Sequence, residues 1–210
     1  MQAVEAILFE PVGCLAEFPA EPFNQIATRV FGRKKKPSRS GSRSYWHLLN
    51  LIEAAGGRLD SREAEALEVE AVAAAILYED VQPALAELDA MGIRLILASS
   101  LSTMAVGRFV ERCAGFSATW SRETAGGVKA APLSSALRGA SLSGARTLFF
   151  TDTSEGIKTA RTAGLQPILI MNDPDEAKRL ALQNPAGGIV SLHELPDFIR
   201  LVGAKNTGPR

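Results

Sequence analysis

The sequence predicts an α/β fold, a Rossmann-like parallel sheet core with an inserted α-helical cap. Three observations predict it. Short apolar runs recur along the chain, at residues 4–9 (VEAILF), 93–98 (IRLILA), 146–150 (RTLFF), 166–171 (QPILIM) and 188–190. Apolar runs of this length, bounded by turn residues, read as buried strands. A stretch with helical spacing follows each of the later ones, and such alternation argues for a parallel sheet covered on both faces. Finally, three helical stretches lie between the first strand and a helix beginning at Asp80, too many for one crossover.

The first strand ends at a Pro-Val-Gly turn. Residues 23–31, 45–55 and 62–78 then read as helices, separated by a basic segment and by Gly56-Gly57. Asp80 is a candidate cap for a helix running to Met91, which Gly92 stops. Further helices are expected at 103–113, 155–163, 174–182 and 193–201, with Trp120 in a loop after a short strand. The division is therefore a core of residues 1–17 and 79–203, a cap of residues 18–78, and a tail of residues 204–210 that is expected to fray.

Composition excludes several classes. A hydrophobic content of 46% suits a packed core. No apolar run is long enough to span a bilayer, and the reading is a cytoplasmic protein. Cys14 and Cys113 make no disulfide framework, and with only His47 and His193 beside them a structural zinc site is not expected. Net charge is zero, but residues 33–43 (RKKKPSRSGSR) hold six cations and no acid. The rest is acidic, which argues against a general nucleic-acid binder. The basic segment is either solvated surface or a site for an anionic ligand over the cap. Tyr45 and Trp46, just after it, are expected to pack the cap, and an apolar cap face is compatible with self-association.

In open parallel sheets ligands sit at the carboxyl ends of the strands. The residues there are Glu10 to Leu15 in FEPVGCL, Ser99 and Ser100 in LILASS, and Asp152 to Gly156 in FFTDTSEGIKTARTAGL. Lys129 lies between the last two in GGVKAAP. Together these motifs resemble the haloacid dehalogenase superfamily. Its first strand ends Asp-x-Asp-Gly-Thr-Leu, its second in Thr or Ser, its third motif is a lysine, and its fourth is Gly-Asp with an acid four positions on. The resemblance covers nearly the whole chain in order.

The resemblance also shows departures. The nucleophilic Asp is replaced by Glu10, the proton-transferring Asp by Val12, the following Thr by Cys14, and the second acid of the fourth motif by Gly156. In-line attack needs reacting atoms at ~3–3.5 Å, and a misplacement of ~1 Å can cost ~100-fold. Acid–base help, worth ~10²–10⁴-fold, is beyond a valine. What the resemblance retains is anion binding. Lys129 is placed to neutralise phosphate and orient Glu10, Ser99 and Ser100 offer donors, and the backbone at Gly13 helps cradle oxygens. Glu10, the Val12 carbonyl and Asp152 form a residual set for Mg²⁺, weakened by the loss at Gly156.

Glu10 is read either as a carboxylate paired to Lys129 or as a nucleophile, and Asp152 as a metal ligand or a helix cap. Cys14, after its glycine turn, is a candidate reactive thiol with no histidine beside it. The expectation is a non-catalytic or very weakly active protein binding a phosphorylated small molecule, phosphate or a protein partner. The alternative is a Mg²⁺-dependent phosphatase of a small phosphorylated metabolite.

Overall fold

The computed structural model describes residues 3–32, 38–171 and 174–204. Most of the cationic run at the start of the basic segment and residues 205–210 of the expected tail lie outside them.

The chain enters through β1 (Ala6–Phe9), turns into β2 (Ala16–Glu17), and passes through α1 (Ala20–Arg29), α2 (Gly41–Ala54) and α3 (Arg62–Ala74). It returns in β3 (Ile76–Leu77), followed by α4 (Val81–Ala90), β4 (Arg94–Ala98), α5 (Thr103–Arg112), β5 (Ala118–Trp120), α6 (Arg122–Ala125) and α7 (Ala130–Gly139). Then come β6 (Thr147–Thr151), α8 (Ser154–Thr162), β7 (Gln166–Ile170), α9 (Pro174–Ala181), β8 (Gly187–Ile189) and α10 (Leu195–Ala204).

Six strands form one parallel sheet in the order β5-β4-β1-β6-β7-β8. Its central strands are buried on both faces, which explains why they read as unbroken apolar runs rather than alternating ones. Leu8, Ile96 and Phe149 pack with Leu133 of α7 and Ala160 of α8. Ile7, Phe9, Leu97 and Phe150 face a second, larger cluster that runs without a break into Phe23, Tyr45, Leu48 and Leu67 of the inserted helices.

Those helices leave and rejoin the core through β2 and β3, which pair antiparallel, Ala16 with Leu77 and Glu17 with Ile76. Three local expectations are corrected. The helix expected over residues 62–78 stops at Ala74, because the chain must extend to pair with β2. Asp80 stands at the N-terminus of α4 but makes no side-chain cap. Its carboxylate instead accepts hydrogen bonds from Ser191 Oγ (2.6 Å) and Leu192 N (2.7 Å). Trp120 is the last residue of β5, not a loop residue, and packs against the cluster under α7.

Candidate functional site

At the carboxyl end of β1, Glu10 is only 3% exposed. Its Oε1 accepts from Ser99 Oγ at 2.5 Å, and its Oε2 from Tyr45 Oη at 2.9 Å and from Ser100 N at 3.3 Å. The backbone N–H of Val12 also donates to it. Burial pushes its pKa up to about 7, and these hydrogen bonds oppose the rise only in part. None of the groups that shift it is a cation. The ion pair expected between Glu10 and Lys129 is absent. Lys129 Nζ lies 2.5 Å from Glu53 Oε2 at the end of α2 instead. Lys129 itself is held with φ at 59°, an uncommon value for a residue with a side chain, and its N–H donates to Ser100 Oγ at 2.7 Å.

Val12 is completely buried in the apolar cluster. Cys14 is buried too, its Sγ donating to the Phe150 carbonyl at 3.2 Å. Burial, then the nearby charges of Asp152 and Glu10, push the thiol well above its usual range, opposite to what a reactive thiolate needs. Gly13 has φ +82°, and a Cβ there would stand 2.7 Å from Asp152 Oδ2. Only glycine lets this turn lie so close to the end of β6.

Asp152 accepts a hydrogen bond from Ser42 Oγ of α2 at 2.8 Å. The capping expected of Asp152 is done by Thr153, whose side chain accepts from Gly156 N. At Gly156 a Cβ would fall 1.8 Å from Thr151 Oγ1. Thr151 stands where the resembling motif has glycine, and Gly156 where it has an acid. The space of the missing carboxylate is thus filled by the threonine.

Two functional features escaped the sequence. Tyr45 is fully buried, and its hydroxyl reaches Glu10, the Ser100 N–H (3.1 Å) and Ser99 Oγ (3.5 Å). Glu68 of α3, 1% exposed, accepts from Arg122 (2.7 Å) and from Ser102 N (2.9 Å), while Arg122 also donates to the Ser100 carbonyl (3.0 Å). Burial raises the Glu68 pKa although Arg122 pulls it down. This buried pair ties the insertion to the loops that carry Ser100.

The Mg²⁺ expected at Glu10, the Val12 carbonyl and Asp152 fits poorly. Mg²⁺ takes oxygen ligands in near-octahedral array, commonly one or two carboxylates with several waters. Both Glu10 oxygens are already engaged by Ser99, Tyr45 and Ser100, and Thr151 Oγ1 stands where a side chain at position 156 would begin. Among the described residues no cluster of three metal-ligating side chains occurs. A cleft of about 500 Å³ reaches Gly13, Ser42, Tyr78 and Asp152 but is not lined by Glu10.

A parallel sheet with polar residues gathered at its carboxyl edge beneath inserted helices defines the class of open α/β proteins whose sites lie at the strand ends. Residues 12–164 match the model of the haloacid dehalogenase-like hydrolases, and the chain belongs to that family. The fold is also that of a haloacid dehalogenase-like family protein from Streptococcus pneumoniae (17% identity, TM-score 0.69, covering 94% of this chain and 99% of that one). A predicted phosphoglycolate phosphatase from Haemophilus somnus is similar (18%, TM-score 0.66, 94% and 99%). So is the L-2-haloacid dehalogenase of Xanthobacter autotrophicus (15%, TM-score 0.62, 94% and 98%). No curated protein matches by sequence. Among the described residues no helix is long and apolar enough to cross a membrane.

Proposed function

We propose that this chain is a catalytically silent member of the haloacid dehalogenase-like family that acts by binding, its ligand a phosphorylated small molecule or a protein partner. The observation that carries the reading is the fully buried Val12 beside a Glu10 already engaged by Ser99, Tyr45 and Ser100. Below about pH 7 Glu10 carries a proton and is a poor nucleophile, and valine supplies no proton to a leaving oxygen. The basic segment of residues 33–43 is, by its charge, a further place for an anionic partner.

Purified protein with Mg²⁺ and an aryl phosphate is expected to release phenol no faster than buffer, with Glu10→Ala indistinguishable from the parent. Turnover that Glu10→Ala abolishes would sink the reading. The chemistry is expected to need both acids, so activity in Glu10→Asp with Val12→Asp, and in neither single variant, locates the loss at those two positions.

A second reading, a Mg²⁺-dependent hydrolase of a small phosphorylated metabolite, is favoured by the retention of Ser99 and Asp152 at the carboxyl edge of the sheet and of Lys129 ahead of α7. The likeness to a predicted phosphoglycolate phosphatase suits it as well. The same assay decides between the two.

A further inference from the structure

We propose that the cleft between the α2–α3 turn and the α6–α7 turn is a binding site for a small zwitterion, a molecule of the amino-acid type with a carboxylate and an ammonium close together. The cleft encloses about 360 Å³, within the ~300–1,000 Å³ common for small-molecule sites, and it lies where the insertion meets the core, a usual place for them. It is separate from the strand-edge site, since none of Glu10, Ser99, Ser100 or Lys129 lines it. Arg122 lines it, but its guanidinium turns inward to the buried Glu68 and the Ser100 carbonyl. The site therefore stands whether or not the strand edge is silent. Four charges line the cleft, Arg58 and Asp60 from the turn and Arg62 and Glu65 from the start of α3. Among the described residues none of these four side chains has an ion pair or hydrogen bond. Such pairs form readily elsewhere in the chain. Arg108 and Glu111, in the same order and spacing on α5, meet at 3.0 Å, and Glu63, beside Arg62 in sequence, takes Arg29 at 2.9 Å. Arg62 and Glu65 have the spacing to pair and do not. Glu123, the remaining acid at the wall, is already engaged by Thr103 and Arg122. The walls between the charges are bare backbone. Gly57 and Gly126 have φ +79° and +72°, and a Cβ at either would meet nothing within 4 Å, so no side chain closes the space. Arg122, 3% exposed, also keeps an Nε–H with no partner among the described residues, an unmet donor of the kind that an ordered water or ligand satisfies. A carboxylate suits the guanidinium groups of Arg58 and Arg62, and an ammonium suits Asp60 and Glu65. A ligand with one sign of charge would meet like charge on the same walls, which costs affinity.

The test is calorimetric titration of the full chain with each of the common α-amino acids. At least one is expected to bind. Its analogue without the amino group and its analogue without the carboxylate are each expected to bind about tenfold more weakly or worse, the loss of one charge-assisted hydrogen bond apiece. Arg58→Gln with Arg62→Gln, and separately Asp60→Asn with Glu65→Gln, are expected to weaken binding at least about tenfold on the same ground. None of the four side chains is buried, so both variants keep the fold. Arg108→Gln, on α5, is expected to leave binding unchanged. In amide spectra the bound amino acid is expected to move Gly57, Gly126 and Gly127 rather than Leu97 to Ser100, and inorganic phosphate is expected not to compete. Each of four results overturns the proposal: no amino acid that binds, equal binding of an analogue with one charge, binding that survives both double variants, or competition by phosphate with shifts confined to the strand edge.

Discussion

Glu10 and Asp152 stand at the ends of neighbouring strands, and each accepts a hydroxyl from α2, Glu10 from Tyr45 and Asp152 from Ser42. Their surroundings differ. Glu10 lies in a dry slot between Ser99, Tyr45 and the Val12 turn, and burial raises its pKa to about 7. Asp152 is half-buried and lines a cleft of about 500 Å³. A single polar site, as the family resemblance implies, is here divided into a sealed half and an open half. The division follows from side-chain size. Tyr45 is long enough to cross from the insertion to β1, whereas Ser42 reaches only the rim.

The sealed half depends on the buried Glu68–Arg122 pair, which holds the Ser100 carbonyl. Breaking a buried ion pair by removing one partner typically costs ~3–5 kcal/mol, because a charge is left without compensation. Glu68→Ala is therefore expected to lower unfolding free energy by about that much in urea denaturation. Arg200→Ala, which breaks the exposed pair with Glu87, is expected to stay within ~1 kcal/mol. Equal small effects from both would mean that the seal rests on apolar packing alone.

The next largest effect is a pH slope. The folded state keeps a proton on Glu10 up to about 7, while the unfolded chain loses it near the ordinary glutamate value of 4.5. Between those values the folded state binds more protons, so stability falls as pH rises. At 1.36 kcal/mol per pKa unit the loss from Glu10 is on the order of 3 kcal/mol across that window. Glu10→Gln mimics the protonated form and is expected to flatten the slope and to exceed the parent in stability above pH 7. A parent with no decline between pH 4.5 and 7 that Glu10→Gln removes would put Glu10 in water rather than in the slot.

Much of the core was legible because its strands are short apolar runs closed by turn residues, and the family motifs lie at their ends. Strand β5, with no apolar run, is legible only as a short strand stopping before Trp120, and α7 is not legible at all, because Pro132 in its first turn reads as a break. At the site, Glu10, Ser99 and Ser100 were placed by their strands and Lys129 was singled out by its motif, but their partners were not. Tyr45 shows only an apolar helical spacing, and where its hydroxyl goes is a tertiary fact. Glu68 looks like one more charge in REAEALEVE. The faint signal was its place beside Leu67 and four residues after Ala64, on the buried stripe. Thr151 and Gly156 each look like a simple loss, and only their contact shows that one fills the room vacated by the other.

That contact predicts a smaller, coupled effect on the open half. Gly156→Asp would restore the missing acid of the fourth motif but drive its Cβ into Thr151. Overpacking of this kind typically costs ~1–3 kcal/mol. Thr151→Gly loses a buried residue on its own account, yet the double variant is expected to be destabilised by less than the sum of the two singles, a coupling of ~0.5 kcal/mol or more. Additive losses in denaturant titrations would show that the two positions changed independently.

The smallest effect is expected from Asp152→Asn. The amide still accepts from Ser42, and at the edge of a cleft the lost charge is compensated by water, so the change should stay near the ~1 kcal/mol of an ordinary hydrogen bond. Its value lies in the contrast with Glu10→Gln, since both exchange a carboxylate for an amide at the same sheet edge. Asp152→Asn should leave Glu10's share of the decline between pH 4.5 and 7 intact, because that share belongs to the sealed carboxyl. If Asp152→Asn flattened the curve as much as Glu10→Gln does, the two acids would be titrating as one coupled site, and the wall formed by Val12, Gly13 and Cys14 would not be separating them.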